Sequence, residues 1–413
     1  MASEWRDTVL GNVIELKRGY DLPGRERKDG PYPIVSSSGI SGYHVEAKAK
    51  APGVVTGRYG TLGEVFYITT DFWPLNTSLY VRDFKGNDAR FISYFLKQLD
   101  FLAYSDKAAV PGLNRNHLHS APVRVPPLVV QRAIADILGS LDDKIELNRR
   151  MNRALEAMAR AIFKAWFIDF EPVKAKAEGA TNFPGMPQEV FDQLPDQFTE
   201  TELGPIPKGW KVRTLGDICE KPQYGYTESA TEEAVGPRFL RIKDINKLPW
   251  IDWSTVPYCP IDENVKEKYR LHHGDIVVAR MADPGHAAMI ESCPDAVFAS
   301  YLIRFRPLNV IWGRFLQYWL RSTAYWELVT GRQTGSTRAN LNAKVLSGFA
   351  IVAPSDHIVE AFKQAIDPLR RLVTCNVRES EVLAGIRDAL LPKLISGELR
   401  VPDAERIVGR CGL

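Results

Sequence analysis

At 413 residues the chain is too long for one ordinary domain and suits two or three of 100–200 residues. Apolar residues make up 45%, charged residues 25% and aromatic residues 10%, which excludes a disordered or fibrous protein. With 53 basic against 50 acidic side chains the net charge is +3, too small to name a partner by itself.

No run approaches the ~18 uninterrupted apolar residues of a membrane span. The opening Met1-Ala2-Ser3-Glu4-Trp5-Arg6-Asp7 does not read as a secretory leader. The five cysteines (Cys219, Cys259, Cys293, Cys375, Cys411) are scattered and form no C-x-x-C pair. That argues against a disulfide framework or structural zinc and for a reducing compartment. A cytoplasmic protein with no membrane contact is expected.

In chain order, residues 1–127 read as a mixed α/β globule with strands at Gly53–Thr56, Glu64–Thr69 and Ser78–Val81 and an amphipathic helix near 89–102. From Leu128 to Glu171 there is no proline and one glycine, Gly139. A short helix is expected to end there, with Ser140 and Asp143 restarting a long one over 141–170 that Pro172 closes. Residues 172–202 hold 2 basic and 6 acidic side chains and read as an acidic linker. Residues 203–355 form a second globule with a helix near 313–329. In 356–400 Asp367 is a cap and Pro368 a first helical residue, opening a second long helix over 368–391 that Pro392 closes. Residues 401–413 are a tail.

The chain repeats itself. At a spacing of 228, Leu113-Asn114 falls on Leu341-Asn342, Pro126 on Pro354, Asn148 on Asn376, Leu155 on Leu383 and Ala161 on Ala389. Upstream, Ala89-Arg90-Phe91 echoes Gly313-Arg314-Phe315, Leu10-Gly11 echoes Leu215-Gly216, and Gly53–Arg58 echoes Asp275–Arg280. The fold predicted is α/β (α+β): two similar globules separated by two long helices that form an antiparallel coiled coil, a tandem repeat with a pseudo-two-fold.

Apolar residues on heptad positions supply the seams, Ile145, Leu155, Ile162 and Trp166 on one helix and Val373, Leu383, Leu390 and Leu394 on the other. Asn148 and Asn376 interrupt them at equivalent places. A buried amide costs stability but sets register, because a mispaired one stays unsatisfied. The alternative is that each helix packs only on its own globule.

Catalytic motifs are missing. There is no G-x-x-x-x-G-K-[ST], G-x-S-x-G or H-E-x-x-H, and no Gly-rich dinucleotide or methyl-donor loop after a strand. Asp29 with Glu46-x-Lys48 has the loose spacing of a metal-dependent nuclease. His117-x-His119 and His272-His273 lack a third ligand nearby and read as surface or core histidines.

Basic excess lies in the two globules; residues 301–355 carry seven basic side chains against Glu327 alone. Polar and cationic loops recur there: Ser36-Ser37-Ser38, Arg58-Tyr59, Asn76-Thr77 and Asn114-Arg115-Asn116 in the first, and Arg241 with Lys243, Arg280-Met281, and Arg332, Thr334, Ser336, Thr337, Arg338 and Asn340 in the second. Arginine reads guanine bidentately, asparagine pairs with adenine, and hydroxyls reach base or phosphate. Turn chemistry alone also selects such residues.

With Leu10-Gly11 and Leu215-Gly216, Gly204-Pro205-Ile206-Pro207-Lys208-Gly209-Trp210, Val125-Pro126-Pro127-Leu128-Val129-Val130-Gln131, and Ala165-Trp166-Phe167-Ile168-Asp169-Phe170-Glu171-Pro172, the chain resembles the specificity (S) subunit of type I restriction–modification systems over essentially its full length. Asp356-His357-Ile358-Val359-Glu360 departs from that pattern. The resemblance implies two target-recognition domains (1–127 and 203–355), each reading half of a bipartite double-stranded DNA site, with conserved helical regions between them. It also implies that two methyltransferase subunits and restriction subunits bring catalysis, with S-adenosylmethionine, Mg and ATP on those partners and no cofactor here. Phe163, Trp166, Phe167 and Phe170 exceed what one seam uses and are expected either to dock a methyltransferase subunit or to pack on the second globule. A stand-alone metal-dependent nuclease and a scaffold that binds no DNA are the rival readings.

Overall fold

The computed structural model describes residues 5–105, 112–331 and 341–410. They fall into two compact units, residues 1–146 with 382–413, and residues 147–381.

In the first unit, short β-branched runs build a four-stranded antiparallel sheet in the order Glu15–Arg18, Ser78–Asp83, Gly53–Gly57, Val65–Ile68. Gly53–Gly57 is buried along its length, so it shows no alternation. Beside it, Tyr32–Ser36 pairs antiparallel with Gly39–His44 and parallel with Trp73–Pro74. Arg6–Val9 pairs with Pro122–Val125. The helix Ala89–Lys97 starts where the Asp88 carboxylate accepts the Phe91 amide at 2.8 Å, and it buries Phe91, Tyr94 and Leu96.

The second unit repeats this plan. Its four antiparallel strands run in the order Gln223–Tyr224, Leu302–Phe305, Ile276–Ala279, Ala287–Met289. Arg238–Leu240 pairs parallel with Ala296–Phe298, and Lys211–Thr214 pairs with Ala350–Ala353. The helix expected over 313–329 is two, Trp312–Trp319 and Thr323–Thr330, because the Ser322 hydroxyl accepts the Tyr325 amide at 3.2 Å and caps a new start. The acidic stretch 172–202 is no linker. It holds the helices Glu171–Ala177 and Gln188–Asp192, and Val173, Val190, Phe191 and Leu194 are buried in this unit's core. The tail likewise contains a helix, Val401–Gly409, whose Ala404 and Val408 enter the first unit's core.

The two long helices are Leu128–Phe167 and Asp356–Ser396, each unbroken where a break was expected. Gly139 is a close-approach residue, not a stop. The Arg90 guanidinium lies across it, donating to the Gly139 carbonyl at 3.0 Å and to both Asp143 oxygens at 2.9 and 2.7 Å, and a Cβ would stand 2.5 Å from Arg90 Cζ. Ser140 does not cap; its hydroxyl donates back to Ile137 O at 2.9 Å. Pro368 and Pro392 are exposed and continue the second helix, because Ile366, Arg370, Leu391 and Leu394 around them are buried. Packing outweighs the one lost backbone hydrogen bond at each proline.

Each unit contains one stretch of each helix, paired antiparallel. In the first, Arg387 donates to Asp142 at 2.6 Å, and Leu138, Leu141 and Ile145 share a core with Leu383, Leu390 and Leu394. In the second, Asn148 donates to Glu379 at 2.7 Å, Asn376 to Asn152 at 2.8 Å and Arg370 to Glu156 at 2.6 Å, while Phe163 meets Phe362 edge-on. Here the seam departs from the expected apolar one. Asn148, Asn152, Glu156, Arg370 and Asn376 occupy its centre, all buried, and Leu155 and Ile162 are only half-buried flanks.

Arg370 is wholly buried between Glu156 and Glu291, and Arg314 joins Glu291 to Asp367. Burial alone would raise the Glu291 carboxyl, but hydrogen bonds and charge from Arg370 and Arg314 hold it down at about 2. Glu291 therefore adds stability that is present above its unfolded value of roughly 4.3 and lost as pH falls toward 2. Urea midpoints measured from pH 6 to pH 2.5 are expected to fall more steeply for the natural chain than for Glu291→Gln, which is less stable at pH 6.

The aromatic group at the end of the first long helix is core. Phe163, Trp166 and Phe167 are 2–3% exposed, packed against Phe315, Phe362 and Trp210, and Phe170 rests on Phe198 and Trp210. Methyltransferase docking through them is corrected on that ground, since their faces are covered by the chain itself. Phe167→Ala is expected to cost about 3–5 kcal/mol, read as a lower urea midpoint of the second unit.

Candidate nucleic-acid interface

In the first unit the polar loops converge around an open cleft of about 520 Å³ lined by Arg18, Arg58, Tyr59, Leu79, Leu113, Asn114 and Arg115. Sheet geometry brings them there. Arg58 follows the central strand, and its amide donates to Thr77 O at 2.9 Å, as does that of Tyr59 at 3.2 Å. The Leu113 amide donates to Arg58 O at 2.9 Å, which ties in the segment opening the helix Arg115–His119. The Arg58 guanidinium stacks 4.5 Å from the Tyr59 ring centroid.

Ser36, Ser37 and Ser38 form a neighbouring turn, with Ser36 Oγ donating to Gly39 O at 3.0 Å; a Cβ on Gly57 would lie 3.3 Å from Ser37 Cβ. Asn76 donates to Asp21, which also pairs with Arg18 at 3.3 Å. Asn114 caps the helix, accepting the Asn116 amide at 2.9 Å, while Arg115 and Asn116 are exposed. Three guanidiniums, one of them neutralised by Asp21, give the cleft a cationic lining.

The second unit repeats the backbone frame with other side chains. The Arg280 amide donates to Tyr301 O at 3.0 Å, and the Leu341 amide donates to Arg280 O at 3.1 Å. Asn342 caps the helix Ala343–Ser347. The Arg280 guanidinium lies 5.0 Å from the Tyr224 ring centroid and its Nε donates to Ser300 O at 3.1 Å. Met281 is 38% exposed beside it. Arg241 is held by Asp244 at 3.0 and 3.1 Å, and Lys243 is exposed. Arg332, Thr334, Ser336, Thr337, Arg338 and Asn340 lie outside the described residues.

Sequence reasoning missed Arg18, Tyr224 and Tyr301. The signal was present in Arg18-Gly19-Tyr20 and Tyr224-Gly225-Tyr226, which share one frame: Tyr20 donates its amide to Pro74 O and Tyr226 to Phe298 O, both at 2.8 Å. Each glycine is required, since a Cβ would collide with the carbonyl of Leu75 or Ala299.

Of the paired histidines, His119 is structural, while His117, His272 and His273 are exposed. His119 Nε2 accepts the Leu16 amide at 2.9 Å, which needs a neutral ring, and burial followed by Arg115 and Lys85 lowers its pKa. The nuclease alternative finds no support. Lys48 pairs with Glu46 at 3.5 Å and lies over Trp73, and among the described residues no group of three His, Cys, Asp or Glu is placed to hold a metal. No helix of the described residues is long and apolar enough to cross a membrane.

Comparison with known proteins follows the same division. The family model for the type I restriction modification DNA specificity domain matches twice, over residues 2–157 and 207–373. The chain is 26% identical over 341 residues to the HindI type I restriction enzyme specificity subunit of Haemophilus influenzae, covering 72% of this chain and 73% of that one. It is 29% identical over 346 residues to the MjaIX specificity subunit of Methanocaldococcus jannaschii, covering 80% and 74%. The crystal structure of the type I S subunit from M. genitalium shares its fold, with a TM-score of 0.56 at 16% identity over 95% of this chain and 96% of that one.

Proposed function

The chain belongs to the type I restriction modification DNA specificity family, and from that premise we propose that each unit reads one half of a bipartite duplex site while partner subunits carry out the chemistry. One observation carries the reading: the same strand order, with an arginine closing the central strand, is built twice from divergent side chains. Two similar reading heads address two half-sites, as in dimeric DNA-binding proteins. Methyl donor, Mg and ATP then belong to methyltransferase and restriction subunits, and this chain acts as the non-catalytic selector.

The paired helices act as the ruler for the spacer between half-sites, with Asn148 and Asn376 setting their register. One heptad is ~10 Å of helix, or about three base pairs. Seven residues inserted at matched places in both long helices are expected to lengthen the spacer by about that much and leave both half-sites unchanged. Mapping of modified bases tests this; a changed half-site with the old spacer overturns it.

We propose that a methyltransferase subunit docks on an exposed face of the first long helix. Leu147, Met151 and Met158 fall on one face and are 41–53% exposed. Methionine-rich faces suit adaptable contacts. The double variant Met151→Glu, Met158→Glu is expected to fold normally and lose co-purifying methyltransferase at least tenfold, measured by quantitative pull-down.

A further inference from the structure

Arg58 and Arg280 close matched central strands, and each is pinned on both sides of its own backbone. The amide of each donates across the sheet (2.9 and 3.0 Å) and the carbonyl of each accepts from the leucine that precedes the capping asparagine (2.9 and 3.1 Å). The guanidinium of each lies over a tyrosine ring, yet the rings come from different places. Tyr59 follows its arginine in sequence, whereas Tyr224 reaches Arg280 from the edge strand. Two units that have diverged around this point thus arrive at the same cation–aromatic geometry.

Charge sets these two apart from Arg18 and Arg241, though not from Arg115. Arg18 is paired with Asp21 at 3.3 Å and Arg241 with Asp244 at 3.0 Å. Among the described residues neither Arg58 nor Arg280 has a carboxylate within ion-pair distance. Both are half-buried, so an uncompensated cation is being held part-way out of water. A phosphate contact needs only the charge, which a flexible lysine supplies equally well. A guanidinium whose plane is fixed by a ring beneath it, and whose Cα is fixed by two hydrogen bonds, suits a planar two-point acceptor. Guanine O6 and N7 in the major groove are such an acceptor.

We infer that Arg58 and Arg280 each read one guanine, at equivalent positions of the two half-sites. This rests on the specificity reading proposed above and names the residues on which that specificity turns. Tyr59 and Tyr224 are positioning residues that hold the guanidinium planes.

The test uses the full chain, with whatever subunits co-purify with it, selecting from a library of duplexes with randomised positions. Arg58→Ala and Arg58→Lys are each expected to lose about tenfold to a hundredfold preference for guanine at one position of one half-site and leave every other position intact. Arg280→Ala and Arg280→Lys do the same at the counterpart position of the other half-site. The lysine variants keep the stem and the charge, so their melting temperature should match that of the natural chain. Two results overturn the inference: lysine variants that keep the full preference, or a loss spread evenly over all sequences, since both mark a phosphate contact. A natural chain that enriches no sequence sinks the specificity reading itself, whatever the variants do.

Discussion

A guanidinium and a phenol on successive turns of one short helix fasten each globule to the long helices. In the first unit these are Arg90, bidentate on Asp143, and Tyr94, donating to Asp142 at 2.5 Å. In the second they are Arg314, on Asp367 at 2.7 Å, and Tyr318, on Glu156 at 3.2 Å. Arg90 and Asp143 are partly exposed, whereas Arg314, Tyr318 and Glu156 are buried, and buried polar groups are stabilising only when matched. Directional bonds of this kind favour one orientation of globule on helix more than an apolar interface of similar size does. Whatever the loops of each unit contact, they are presented from a fixed base.

The same acidic residues also bind the helices to each other, with the acid on the first helix and the arginine on the second in both units. Asp142 on the first helix accepts from Arg387 on the second, and Glu156 on the first accepts from Arg370 on the second. The repeat spacing of 228 places Arg370 at the position of Asp142, a cation where the other copy has an anion. Duplication followed by charge reversal at that position leaves acids on one helix facing arginines on the other. Pairing of one helix with its own kind would bring these charges opposite the wrong partners. The cluster around Arg370 also explains how a seam can tolerate Asn148, Asn152 and Glu156 in succession: each finds a polar partner on the facing helix or the adjoining globule.

The repeat was legible from sequence because it is carried by residues whose role is local. Leu113-Asn114 and Leu341-Asn342 begin capped helices, and the Gly53–Arg58 and Asp275–Arg280 runs are central strands. What was not legible depended on distant partners. Gly139 looks like a helix stop until Arg90, far upstream, is seen lying on it. Pro368 and Pro392 look like boundaries until the buried residues on either side are counted against one missing hydrogen bond each. Phe163, Trp166 and Phe167 were surplus to a two-helix seam only because the third surface, Phe315 with Trp210, comes from another part of the chain. The Arg280–Tyr224 stack was hidden for the same reason, while Arg58 and Tyr59 are adjacent in sequence and were both legible as candidate contacts, though not as a stack.

Divergence of the loops and conservation of the frame follow from where the hydrogen bonds fall. Every bond that places Arg58 and Arg280 runs through backbone: to Thr77 O or Tyr301 O on one side, from Leu113 or Leu341 on the other. Backbone bonds are indifferent to side-chain identity, so Thr77 can become Tyr301, Arg18 can become Tyr224 and Arg115 can become Ala343 without moving the strand end. Side chains facing the cleft are thereby released from structural duty, and where the first unit has Arg18, Arg58 and Arg115, the described residues of the second have Tyr224, Arg280 and Ala343. A scaffold that positions by main chain and reads by side chain can change what it reads without refolding. That separation follows from two copies sharing the four-stranded order while differing at Arg18, Tyr59 and Arg115 of the cleft.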